Sequence, residues 1–388
     1  MKRLILFVLI GILLFFTTGC GAKSEIENLG IVVAMGIDTT PAGNYLLSLQ
    51  ILKAQRESAG GMGGQKGGKP ATPSDVEFLT VSGDTIYSAL DNLSTQLGKK
   101  IHLSHINFVV ISEKVAKSGV ASIIDAGIRS HQFRTNRPIL VTKGEAAKII
   151  SAVPPEDPIP ANAVKNILAQ QERYGYSAIV TYLDFANSLA SKTASPIAGV
   201  IDLSKTEQGD EVLKVEGIAV FSKDKLIGYL DGEETRGMQW LKGKVKDGSI
   251  VIASPDNGKI TLRVTQANSR IKPVIHHNKP AIQATIKADG YLRSMKGQLD
   301  PMKEPDILNA LDELQNALIK KEINQALYAA QKKFKADIFE FGDAIHRDYP
   351  EQWKNIEESW NEVFPDLDIE VKVDSHIHRP GMISKPLY

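Results

Sequence analysis

The chain has 388 residues with 46 basic and 45 acidic side chains, a formal charge of +1. That balance excludes a dedicated nucleic-acid binder, because neutralising phosphates needs a concentrated basic surface. A single cysteine excludes an internal disulfide and a thiolate zinc site, while the length suits two or three domains at roughly 100 to 200 residues each.

At the N-terminus, Lys2 and Arg3 precede an apolar run from Leu4 to Phe16 that ends in Thr17, Thr18, Gly19 and Cys20. This is the layout of an export signal, and the run is shorter than the about twenty residues that cross a bilayer core. Small Gly19 abutting the only cysteine predicts removal of residues 1–19 and a diacylglyceryl group on the Cys20 thiol. Thr17 departs from the pattern, which usually has a larger aliphatic residue there. The competing reading is a secreted protein with an incidental thiol, a liability in an oxidising compartment. Two acyl chains hold a protein stably where one does not. Residues 20–28 then form a polar tether to the outer face of the membrane, and no later stretch approaches the roughly eighteen apolar residues of a span.

Residues 29–203 read as a mixed α/β region with room for two subdomains. Leu29 to Ile37 and Tyr45 to Ala54 predict a hairpin. The glycines between Ser58 and Ser74 predict a flexible loop and not a phosphate loop, since Pro70, Pro73 and a strand near Val76 to Val81 follow where a helix would be needed. Ile86, Leu90, Leu93 and Leu97 share a helical face; Ile106 to Ile111 reads as a buried strand, Ala116 to Ile128 as one helix and Pro138 to Val141 as extended. Helix Glu145 to Ser151 precedes Pro154, Pro155, Pro158 and Pro160, where a subdomain junction is expected. Two more helices, Asn162 to Tyr174 and Thr181 to Leu189, lead to an extended piece, Ile197 to Leu203. The polar connector Ser204 to Asp210 marks the main boundary.

Residues 211–388 read as an α+β domain. Val212 to Phe221, a turn at Lys223 and Asp224, and Leu226 to Leu230 form strands, followed by a short helix from Glu233 to Leu241. Ile250 to Ala253 and Ile260 to Val264 flank Asn257-Gly258, a type I′ hairpin signal. Val274 to Ile275 and Ile282 to Ala288 continue the sheet. Leu308, Leu311, Leu314, Leu318, Ala326, Ala330, Phe334, Ile338 and Phe341 predict one long amphipathic helix of about nine or ten turns packed across it. From Leu367 to Ile377 apolar and polar residues alternate as in a half-buried strand. The fold class is therefore mixed α/β and α+β, with a C-terminal antiparallel sheet against a long helix.

Chemistry is scarce. His376 and His378 share a strand face but two imidazoles do not make a metal site, and Lys372 and Arg379 repel cations; His276-His277 point to opposite faces, and His102 and His105 read as structural. Asp231, Glu233 and Glu234 could serve a hydrolase as acid and base, yet acids before a helix are explained by capping and the helix dipole. Trp353 and Trp360, two helical turns apart, read as core, with a binding face as the alternative; Trp240 is a further candidate anchor. There is no Gly-x-Ser-x-Gly elbow or His-Glu-x-x-His helix. These residues predict no enzyme, cofactor or metal. A solute-binding lipoprotein of an importer is the main rival, and would need two open lobes with parallel sheets and helical crossovers.

Several segments together resemble the Ger(x)C family, the lipoprotein C subunits of nutrient germinant receptors in endospore-forming bacteria. They are Cys20, the stretch Leu29-Gly30-Ile31-Val32-Val33-Ala34-Met35-Gly36-Ile37-Asp38, and Gly217-Ile218-Ala219-Val220-Phe221 leading into Leu226-Ile227-Gly228-Tyr229-Leu230 and Glu233-Glu234-Thr235-Arg236-Gly237. Asp337-Ile338-Phe339, Phe341-Gly342, Pro350, Trp353, Trp360, Phe364-Pro365 and Val371-Lys372-Val373 complete the series. The family often has Trp-Asp after the lipidated cysteine, where this chain has Gly21-Ala22. The resemblance implies a non-enzymatic subunit beside two integral membrane subunits, one permease-like, in the spore inner membrane. Its implied role is assembly or signal coupling in germination.

Overall fold

The computed structural model describes residues 29–53, 76–154, 157, 159–253, 258–276, 279–296 and 305–378. Strands β1 (Leu29–Thr39) and β2 (Tyr45–Leu52) form the expected hairpin, and β3 (Val76–Gly83) pairs antiparallel with β2. Helix α1 (Ile86–Leu97) leads to β4 (Lys100–His102) and β5 (Phe108–Ser112), both parallel to β1. Helices α2 (Glu113–Ser118) and α3 (Ala121–Arg129) precede β6 (Ile139–Thr142). Next come α4 (Ala146–Ser151), α5 (Pro160–Tyr174), α6 (Tyr182–Ala190), and the strands β7 (Ile197–Lys205), β8 (Glu211–Ser222) and β9 (Lys225–Leu230). All nine strands share one mixed sheet, ordered β3-β2-β1-β5-β6-β7-β8-β9 with β4 beside β1.

β1 carries a nearly unbroken apolar run because helices cover both its faces. Val33, Ala34, Phe108 and Val110 pack on α4 and α5, whereas Met35, Ile37, Val109 and Ile111 face the other core with α1 and α3. Strands on either side of the proline cluster lie in this one sheet, β6 pairing with β7 through Leu140 and Val141. The polar connector 204–210 is the turn of the β7–β8 hairpin, where Lys205 lies opposite Glu211. The helix expected from Ala116 to Ile128 is two helices. Gly119 adopts φ +127°, and Val120 N–H donates to the Asp224 carbonyl at 3.0 Å instead of continuing the first helix.

After α7 (Gly232–Leu241), strands β10 (Gly248–Ala253), β11 (Lys259–His276), β12 (Lys279–Lys296) and β13 (Asp368–Ile377) form a second sheet in that order. The first three pair antiparallel, and β13 joins parallel to β12. Ala253 opposes Lys259, so five residues join β10 to β11 where a type I′ turn centred on Asn257-Gly258 would leave two; residues 254–257 lie outside the described residues. Helix α8 (Pro305–Tyr328) packs along α7 and β13.

The long helix is shorter than the apolar spacing predicts. It widens into a π-helical turn, Ala329–Phe334, and stops at Lys335, which is left-handed at φ 53°. Ile338 lies in the connection and Phe341 begins a new helix, α9 (Phe341–Asp348). The physical reason is Asp337, whose carboxylate accepts from the N–H groups of Phe339, Phe341 and Gly342 and so nucleates that second helix.

Candidate functional site

The two sheets meet at α7, the most enclosed helix among the described residues. Its start is a capping box: Asp231 Oδ1 accepts from Glu234 N–H at 2.8 Å, and Glu234 Oε2 accepts from Asp231 N–H at 3.0 Å. Both acids are thereby occupied by the helix terminus, and Glu233 is exposed. The pair considered for acid–base work has a structural employment. From Thr235 to Leu241 every residue of α7 is buried, against α8, β8 and β11. Gly237 makes this possible. Any Cβ there would collide with the backbone carbonyl of Glu322 and stand 3.0 Å from the Ala326 Cβ, so the helices touch backbone to backbone.

A charged pair sits in this contact. The Arg236 guanidinium grips Glu322 with both carboxylate oxygens engaged, Nε donating to Oε2 at 2.9 Å and Nη2 to Oε1. The side chains are 9% and 3% exposed. Trp240 Nε1 donates to the same Oε2 at 2.9 Å. Arg236 also donates to the Tyr176 hydroxyl and lies 4.7 Å from that ring. Burial opposes the arginine's charge, but the hydrogen bond and the charge of Glu322 outweigh it and raise its pKa above the ordinary value. Gln239 adds a bond to the Ser177 carbonyl at 2.8 Å. One helix thus ties residues 176–177 of the first half to the long helix of the second.

Asp337 is the second buried node. Burial pushes its carboxyl up to about 6, against the pull of its three backbone N–H donors. Trp360 Nε1 donates to it at 3.3 Å, and its own carbonyl accepts from Ser195 N–H at 2.9 Å. Trp353 and Trp360 are buried, their rings 5.3 Å apart and inclined at 59°, but they belong to separate short helices, Pro350–Trp353 and Trp360–Val363, and not to two turns of one; Trp240 is fully buried too. Between these nodes opens a crevice of about 400 Å³ with an apolar floor including Val180, Ala194 and Met238. Its rim is charged, with Lys242 Nζ and Glu340 Oε1 3.0 Å apart. Asp343 on the rim accepts from Thr193 Oγ1 at 2.6 Å.

Among the described residues no group of three His, Cys, Asp or Glu side chains could hold a metal. His376 and His378 have rings 6.4 Å apart, but His378 Nε2 is held 2.6 Å from Asp289 while His376 lies near Asp312 and Asp374. The His102 and His105 rings lie 5.8 Å apart, tilted at 44°. Cys20, the candidate lipidation residue, lies outside the described residues, as do His277 and the glycine-rich loop 58–74. Sequence reasoning overlooked Glu322 and Asp337 as acids and used Arg236 only as a landmark. A usable signal was Glu322 itself, a carboxylate among the apolar positions of a predicted core-facing helix.

Two family models match nearly all of the chain: "Spore germination protein N-terminal domain" over residues 22–203, and "Spore germination B3/ GerAC like, C-terminal" over 216–381. Spore germination protein KC of Bacillus subtilis (strain 168) is 31% identical, covering 100% of this chain and 98% of that one. The chain belongs to the Ger(x)C family of spore germination proteins. Spore germination protein B3 of the same organism is 24% identical across 99% of this chain and 100% of its own. The crystal structure of the GerBC protein superposes with a TM-score of 0.55 at 19% identity, covering 91% of this chain and 100% of that one; this likeness establishes the shared fold. The matches of the two models end and resume within the β7–β8 hairpin.

Proposed function

We propose that this Ger(x)C protein is a non-enzymatic, lipid-anchored subunit of a spore nutrient germinant receptor. It is held through Cys20 on the outer face of the spore inner membrane, beside two integral membrane subunits, one permease-like, and acts in receptor assembly or signal coupling. The observation that carries the reading is the end-to-end likeness to Spore germination protein KC. The site supports it: two buried hydrogen-bonded nodes hold the halves in register, and Asp231 and Glu234, the acids of the hydrolase reading, cap a helix. No helix among the described residues is long and apolar enough to cross a membrane. We read residues 29–203 and 211–388 as two inherited units, matched separately by the family models and joined in one sheet.

The test is nutrient-triggered germination of spores from a sporulating host lacking its own copy, complemented with the wild type or Cys20→Ala. Intact-mass analysis and membrane fractionation accompany it. A nutrient response restored by the wild type but not fully by an unacylated Cys20→Ala protein is the expected result. Normal germination of the deletion strain on every nutrient would reject the receptor role and favour an importer's solute-binding lipoprotein.

A further inference from the structure

The point where the chain leaves the membrane tether is fixed by pairing: Leu29, the first residue of β1, lies directly beside Lys100 of β4, and two residues on, Ile31 lies beside Leu52 of β2. Lys53, Lys99 and Lys100 therefore cluster around the tether's landing point. Lys53 and Lys100 are exposed and Lys99 is half-buried. Among the described residues none of the three has an ion-pair partner. The acidic neighbour on the flanking strand is Glu77, which opposes Ile51.

We propose that this end of the first sheet is a docking surface for an anionic lipid headgroup layer, with the three lysines as its contacts. The inference rests on the Cys20 anchor and adds an orientation to it. From Cys20 to Leu29 the chain can reach no more than about 30 Å at roughly 3.3 to 3.6 Å per residue, so the landing point stays close to the bilayer wherever the rest of the fold lies. Charges more than about 10 Å from the surface are screened at ordinary salt. The lysines therefore act only when the tether folds back, and their attraction makes the docked arrangement the favoured one. Each basic side chain at an anionic surface contributes about a fivefold gain in binding, so three together give on the order of a hundredfold.

Because Cys20 is the only cysteine, a single-chain lipid maleimide can be coupled to it in the purified chain from Cys20 onward. This makes the measurement independent of whether cells acylate the residue. One chain binds a bilayer only marginally, which leaves the contribution of the lysines visible. Partitioning is measured onto phosphatidylcholine vesicles with and without phosphatidylglycerol, at low and high salt. The expected result is a preference for the anionic vesicles on the order of a hundredfold at low salt, weakened by salt. It should be lost in Lys53→Glu/Lys99→Glu/Lys100→Glu and kept in the control Lys205→Glu/Lys272→Glu, with unfolding midpoints confirming that both variants fold. Equal partitioning on the two vesicle types, or a preference that survives the triple reversal, overturns the proposal. Intact mass of protein recovered from cells reports separately on the anchor, so failure of one reading is distinguishable from failure of the other.

Discussion

Arg236 on α7 and Glu322 on α8 form a two-pronged ion pair 86 residues apart in sequence, inside the protein and shielded from water. Removing one partner leaves a buried charge without compensation, which costs about 3 to 5 kcal/mol, whereas replacing both with apolar residues of similar volume is often neutral. Glu322→Ala should therefore lower stability by about that amount in urea unfolding, and Arg236→Met/Glu322→Leu should recover most of the loss. Equal losses in the single and double variants would mean that the bond to Trp240, and not the charge, dominates.

Gly237→Ala should destabilise, although alanine is the better helix former by about 1 kcal/mol in an open helix. The added methyl meets the Glu322 carbonyl and the Ala326 side chain, and such overpacking typically costs about 1 to 3 kcal/mol. A thermal melt decides: an unchanged or raised midpoint would show that the two helices can separate freely.

Asp337 should give the protein a pH-dependent stability. Its carboxyl titrates near 3.8 in an unstructured chain and at about 6 in the fold, so the folded state binds the extra proton between those values. The contribution is fully present below about pH 4 and is lost as pH rises through 6, amounting to about 3 kcal/mol by linkage. Asp337→Asn should abolish that slope when urea midpoints are compared at pH 4 and pH 7. Persistence of the slope would assign it to other groups.

Asp231→Ala/Glu234→Ala should cost about 1 kcal/mol of stability, the ordinary value of a lost N-cap. Nutrient germination at permissive temperature should be unchanged. Loss of germination from a folded double variant would revive the acid–base role that capping argues against.

Much of the fold was legible because its signals are local. The apolar run of β1, the alternation of β13 and the paired strands around Asn257-Gly258 each declare themselves within a dozen residues. The end of α8 was not legible, since Ile338 and Phe341 continue the helical spacing while Asp337 redirects the backbone. Nor was the full length of β11 and β12, which run for 18 residues each. Gln266, Asn268, Arg270 and Lys272 interrupt the apolar pattern because much of that stretch faces solvent. The Arg236–Glu322 node was hidden for a different reason: its partners meet only when two helices approach at Gly237, a tertiary event that no spacing within either helix encodes.

The β7–β8 hairpin bears on how this protein can be taken apart. The family models stop at residue 203 and resume at 216, yet between them lies a continuous ladder in which Ser204 faces Val212. A fragment ending at that seam would present β7 as a bare edge, with its hydrogen-bonding groups open to any other extended chain. A fragment beginning there would carry β8 and β9 without the sheet that orders them. Chimaeras that exchange halves between relatives must therefore match two strand faces as well as two sequences. A graft made at the seam is a transplant of part of a sheet.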